Sequence, residues 1–306
     1  MHHRIQSTIQ APQWPSYTGT SHYVGTSANG RAKVFVDPSL GAPALANAQD
    51  LVADSDRILS ANDTIFNTTG GGVSVIVFAL GGVTDGTGGA DHMGCTYTTG
   101  GAIEVCASFG NSARVYGLFE AELSECSMGG NLCGMSTGEA LSRWCAAIIS
   151  NNALADFATA PAWAQDGMAN YVDKTDPTDQ SADSTGCGMA FLSWLLSRGY
   201  TMGAIAPAMV QLGDAGTLAG LYARLTSDAA SHAWRSFLSA IQNLPGGVTT
   251  DDPFGGAAGA MERQTVAPMT VGLAGEIFGA ILTDVNARTS ESHIVAHVRA
   301  LLHQVQ

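Results

Sequence analysis

Two carboxylates stand where a helix is expected to bury apolar side chains. The segment Ser112 to Glu125 reads SARVYGLFEAELSE, and Val115, Leu118, Phe119 and Glu122 fall at i, i+3, i+4 and i+7. That spacing puts Glu122 on the apolar stripe of an amphipathic helix. Glu125 lies beside Leu118's line, one turn beyond Glu122, while Glu120 is expected to point elsewhere. Carboxylates on a core-facing stripe are costly unless paired, protonated or bound to a cation, so such a placement marks a candidate site. With Glu122 as general base, water could be polarised for attack on an acyl or peptide carbonyl. Beside Glu125, one of the two is expected to keep a proton near neutrality, because like charges disfavour double ionisation.

Glu139 in STGEALSR is a third candidate. Ser136 or Thr137 can cap that helix, Glu139 suits its first turn, and Arg143 is four residues on for an ion pair. Gly134-Met135-Ser136-Thr137-Gly138 is a literal G-x-S-x-G. A nucleophile elbow needs a buried strand before the serine, and SECSMGGNLC does not read as one. Ser112 does follow a strand and open a helix, but lacks the closing glycine. Either serine would need a histidine base, for which His92 and His232 are best placed. His293 and His297 are four apart on an expected terminal helix and read as solvent-facing. The loop DGTGGADH, with Asp85, Asp91 and His92, resembles a cation loop in composition only. The glycines match neither a phosphate loop nor a dinucleotide fingerprint.

Around these residues the chain reads as α+β, a small N-terminal sheet followed by a mainly helical half. Residues 1–30 read as an irregular arm. Strands are expected at 32–37, 73–80 and 103–108, with a helix at 43–66 and a glycine loop at 81–94. Helices are expected at 113–126, 137–150, 161–172, 184–198, 202–212, 217–225 and 229–244. The main domain is expected over 31–245, then a Gly-rich linker at 246–260 and a helical tail at 261–306 ending in a helix at 290–306. DKTDPTDQSAD at 173–183 reads as an acidic turn segment.

Composition narrows the partners. The chain has 306 residues, 45% hydrophobic, only 13% charged, and a formal net charge of −13. A core is expected and global disorder is not. An acidic chain with two lysines repels phosphate backbones, which argues against nucleic acid. Ala and Gly are abundant and arginines outnumber the two lysines, a composition that a GC-rich genome would produce. No stretch reaches the roughly 18 apolar residues needed to cross a bilayer, and the first residues carry no signal-peptide h-region. The six cysteines, Cys95, Cys106, Cys126, Cys133, Cys145 and Cys187, suggest disulfides and a secreted or periplasmic location, with a cytoplasmic one the alternative. A guessed pairing is 95–106, 126–133 and 145–187. The absence of CxxC argues against a structural zinc site.

The order of helix, buried strand, cysteine-bearing strand and AELSE helix is followed by Trp163–Val172 (WAQDGMANYV) and Gly186–Leu192 (GCGMAFL). Leu218–Thr226 (LAGLYARLT), Trp234 and Phe237 come later. This order resembles the zincin metallopeptidases, particularly the basic secretory protein group, over residues 32–244. The resemblance implies a zincin-like scaffold acting on a peptide or small-molecule substrate. It also places Glu122 at the catalytic Glu of the HExxH motif. Ala121 and Glu125 stand at the two His positions, Asp166 at the later motif's Glu and Asn170 at its Asp. A standard zinc site is therefore absent. Oxygen ligands alone, from Glu122, Glu125 and a supporting Glu139 or Asp166, would favour calcium or magnesium. Two other readings stay open: a serine esterase using Ser136 or Ser112, and a non-catalytic binding protein.

Overall fold

The computed structural model describes residues 9–97 and 101–256. A five-stranded sheet opens the fold, in the order β1-β2-β3-β5-β4. Its strands are β1 (His22–Thr26), β2 (Ala32–Val36), β3 (Val73–Phe78), β4 (Ala90–His92) and β5 (Ala102–Cys106). β2, β3 and β5 run parallel, and the edge strands β1 and β4 run antiparallel to their neighbours. The parallel centre explains why VSVIVF reads as a nearly continuous apolar run, since both its faces are covered. The helices are α1 (Gly41–Phe66), α2 (Ser112–Ser127), α3 (Ser136–Ile149), α4 (Ala160–Gln165), α5 (Ala182–Ser197), α6 (Met202–Val210), α7 (Leu218–Thr226) and α8 (Ala233–Gln242). The α+β expectation therefore holds.

Strand alternation sorts the sheet faces. Val34, Val75 and Ile103 share a cross-strand row with His92 and form one face with the core of α1 and α2. Phe35, Ile76, Glu104 and Asp91 form the next row, on the opposite face. There Trp14 and Tyr17 meet Phe35 and Phe78 edge-on, at centroid distances of 5.4 and 5.1 Å. Glu104 is fully buried, yet its carboxylate accepts from Ser16 N (3.0 Å), Ser16 Oγ (2.6 Å) and Tyr17 N (2.6 Å). Those donors offset its desolvation and strap the N-terminal segment over the sheet.

α2 occupies the middle of the second layer, packed by α1 on one side and α3 on the other. Asn111 caps it by accepting from Arg114 N at 3.2 Å. On α5, Gly186 and Gly188 let α4 and α3 approach closely, because a Cβ would come within 2.3 Å of Thr159 O and 2.5 Å of Ala140 Cβ. Trp163, Phe191, Trp194 and Phe237 complete the core of the helical half.

Several expectations need correction. The arm at 1–30 is not wholly irregular, since it contains β1 and the Ser16–Tyr17 strap. The glycine loop at 81–94 contains β4. The helix expected over 161–172 stops at Gln165, where Gly167 (φ 95°) and Met168 (φ 56°) turn the chain. The linker at 246–260 is not free where it is described. Asp251 is buried and accepts from Thr159 N (2.9 Å) and Ala160 N (2.7 Å), serving as a remote cap for α4, and Phe254 packs near Phe237. The expected tail helix, with His293 and His297, lies outside the described residues.

The guessed cysteine pairing is also overturned. Cys95 bonds Cys133, with Cα atoms 6.0 Å apart, and Cys106, Cys126, Cys145 and Cys187 are buried thiols. Sequence proximity misled, because Cys106 ends a central strand and Cys126 faces the core of α2. The bond closes a separation of 38 residues, a loop whose closure is worth about 4 kcal/mol in the chain-entropy description. Peptide mapping of unreduced protein should find the Cys95–Cys133 linkage alone, with four thiols titrating after denaturation. A 126–133 or 145–187 linkage would contradict this fold.

Candidate active site

Leu118, Ala121, Glu122 and Glu125 recur at i, i+3, i+4 and i+7 along one line of α2. That line forms the floor of a cavity of about 610 Å³. β4 supplies the wall carrying His92, and α3 supplies Glu139, Ser142 and Arg143, again one helical face. Leu154 and Phe157 add an apolar side, and Asp179 and Gln180 line the cavity from the segment before α5. Arg114 ties these parts together. It is 2% exposed, donates to Gly88 O (2.7 Å) ahead of β4, pairs with Asp156 (2.8 Å), and stacks on Phe157 at 4.8 Å.

His92 Nε2 lies 2.8 Å from Glu125 Oε2 and 3.9 Å from Glu122 Oε2. One ligand atom from each of these three residues falls within 4.8 Å of the others. Ser142 Oγ donates to Glu125 Oε1 at 3.2 Å. Among the described residues Glu122 has no hydrogen-bond donor, and His92 Nδ1 is buried with no partner. Burial raises Glu122 well above the ordinary carboxylate range, reinforced by Glu125, Glu139, Asp91 and Asp179. Burial likewise pushes Glu139 up to about 8, against the opposing pull of Arg143, whose Nη1 is 3.6 Å away.

The cavity thus gathers Glu122, Glu125, Glu139 and His92. Sequence spacing left His92 in a loop, because β4 is three residues long and carries no apolar alternation. Arg143 pairs with Glu139 as its i+4 spacing predicts, and Ser142 could have been found from its i+3 spacing. Asp179 has no such signal. The remaining candidates are not brought here. Asp166 is exposed after α4, and Asn170 bonds Asp173 (2.6 Å) and Val172 N (2.8 Å). Asp85 is exposed and bonds Thr87, and His232 pairs with Asp228 on the surface at 3.0 Å.

The serines have other partners. Ser112 Oγ donates to Asp50 (2.6 Å) and accepts from Asn47 (3.1 Å). Ser136 opens α3 without a preceding strand, and its Oγ accepts from Asp176 N at 2.9 Å. Gly138 has a packing reason, because a Cβ there would meet Leu132 O at 2.2 Å. Among the described residues neither serine has a histidine within hydrogen-bond distance.

Glu120 does point away from the Glu122–Glu125 stripe, but into the core and not to solvent. It is fully buried and accepts from Asn62 Nδ2 (2.9 Å) and Ser124 Oγ (2.9 Å), leaving Oε2 without a partner. α2 is enclosed on nearly every side, so no face of it is outward. No family model, curated protein or solved structure matches this chain.

Two outcomes follow from this geometry. A fluorophosphonate should leave the folded protein unlabelled, and modification of Ser112 or Ser136 would restore a serine nucleophile. Burial raises Glu120 to about 8, so the folded chain holds a proton that the unfolded chain releases near 4.5. Stability therefore falls as pH rises between those values, by on the order of 5 kcal/mol from this group. Chemical denaturation across pH should show Glu120→Gln flattening that fall relative to the wild type. An unchanged pH profile in the variant would contradict the assignment.

Proposed function

We propose that the chain is a divalent-cation-dependent hydrolase of acyl or peptide bonds, built on a zincin-like scaffold. The observation that carries the reading is the convergence of His92, Glu122 and Glu125 on one half-open cavity. The zincin arrangement itself does not fit, because Ala121 offers no ligand atom at the first His position. The supporting geometry replaces that ligand from β4. His92 adds a nitrogen to the two carboxylates, which revises the expectation of oxygen ligands only. A mixed nitrogen and oxygen set favours manganese or zinc over calcium. Such an ion would supply charge for a carbonyl oxygen and lower the pKa of a bound water.

The chain's own residues do the rest. Glu122 and Glu125, whose like charges repel in a partly dry cavity, gain a counter-cation instead of a proton. That use of Glu122 moves the acid–base role to Glu139 on α3. Glu139 stands beside Glu125 and Arg143, where a cation nearby would draw its raised pKa back toward neutrality. It can then take a proton from water and return it to the leaving group. The Cys95–Cys133 bond supports an oxidising compartment, secreted or periplasmic. Among the described residues no helix is long and apolar enough to cross a membrane.

Titration calorimetry with Mn²⁺ and Zn²⁺ should give one site per chain, weakened by roughly 10- to 100-fold in Glu122→Gln and Glu125→Gln. On a substrate found by peptide and ester screening, Glu139→Gln should lower kcat by about 10² or more with cation affinity retained. No cation binding by the wild type, or full activity in Glu139→Gln, would overturn the reading. Activity that survives chelation would instead assign water activation to the carboxylates alone.

A further inference from the structure

The Ser136 hydroxyl is buried and engaged, and what it engages borders the cavity. Ser136 N donates to Asp176 O at 3.0 Å, and Asp176 N donates back to Ser136 Oγ at 2.9 Å. Thr137 Oγ1 and Thr175 Oγ1 are 3.2 Å apart beside this pair. Three residues beyond Asp176 is Asp179, and Ser181 then caps α5. Asp179 and Gln180 are therefore held between two anchored points, against the cavity they line.

We propose that segment 174–181 is the specificity wall of this cleft, that Ser136 positions it, and that it selects a substrate presenting a cationic side chain. The inference rests on the cleft being the catalytic site. Three observations support it. Asp179 borders the cavity, its carboxylate accepts only from the neighbouring Gln180 Nε2 (2.7 Å), and among the described residues it has no basic side chain within ion-pair distance. The segment's own cation, Lys174, lies over the Tyr171 ring at 4.4 Å instead of neutralising Asp179. Leu118, Leu154 and Phe157 give an aliphatic stem an apolar surface on the way to Asp179. An anionic substrate is disfavoured, because Arg143 is already occupied: it donates to Phe157 O at 2.5 Å and faces Glu139. With the charges of Glu122 and Glu125 neutralised by a cation, Asp179 remains unbalanced at the cavity, and it would draw in an ammonium or guanidinium.

The test compares N-acetyl-lysine methylamide with its norleucine counterpart, which has a similar stem and no amine. Binding is read by titration calorimetry on the whole, metal-loaded chain, or as KM and kcat if the compound is cleaved. The lysine compound should bind about tenfold more tightly, a preference that shrinks as salt is raised. Asp179→Asn, on an exposed position that is safe for folding, should abolish most of that preference. Ser136→Ala should raise Kd or KM for the lysine compound more than for the norleucine one, and Ser136→Thr, which keeps the hydroxyl, should restore it. Equal binding of the two compounds, or a lysine preference intact in Asp179→Asn, overturns the cationic assignment. A preference untouched by Ser136→Ala overturns the positioning role. Lysine-selective binding with no hydrolysis of any substrate removes the hydrolase reading and leaves this one. Hydrolysis without charge preference does the reverse.

Discussion

Carboxylates crowded into a partly dry space cannot all stay charged without a partner, and α2 carries three of them. The helix runs through the middle of the protein, with α1 on one side and α3 on the other, so none of its carboxylates can simply turn to bulk water. The fold meets that constraint in two ways. Glu120 is sealed in, keeps a proton, and is held by Asn62 and Ser124. Glu122 and Glu125 face a cavity, with one imidazole between them and room for a ligand. The same chemistry is structural two residues before it becomes available for function.

The rest of the molecule can be understood as support for that cavity. β4 is a three-residue edge strand, too short to hold its place by its own ladder. It is held instead by β5 and by the neighbouring Gly88 carbonyl on Arg114, the same guanidinium that pins Phe157. On the far side of the sheet, Glu104 draws in the N-terminal segment, which covers the apolar row of Phe35, Ile76 and Phe78. His92 thus reaches α2 from a rigid sheet, which is what a binding constellation requires.

Much of this was legible in the sequence because it rests on local periodicity. The α2 stripe placed Glu122 and Glu125 beside a core, and the apolar run at 73–80 announced a central strand. What escaped reading depends on contacts distant in the chain. Nothing local in ADH says that strand β4 exists, so the sequence places His92 in a loop, and its approach to α2, away from both candidate serines, depends on the sheet. The spacing turns Glu120 off the stripe but does not reveal its burial, because that depends on α1 supplying Asn62 from 58 residues away. Cys95 meets Cys133 across a fold-dependent turn, while the nearer cysteines are core side chains. The G-x-S-x-G pattern was literal but structural, with Gly138 serving a close approach and Ser136 holding a neighbouring segment.

The central claim is that His92, Glu122 and Glu125 together hold a divalent cation. Pulsed electron paramagnetic resonance of the Mn²⁺-loaded chain addresses it directly, because ¹⁴N modulation reports an imidazole bound to the ion. A single-imidazole signal that vanishes in His92→Gln is the expected result. A spectrum without nitrogen coupling, or one unchanged by that substitution, would contradict the account.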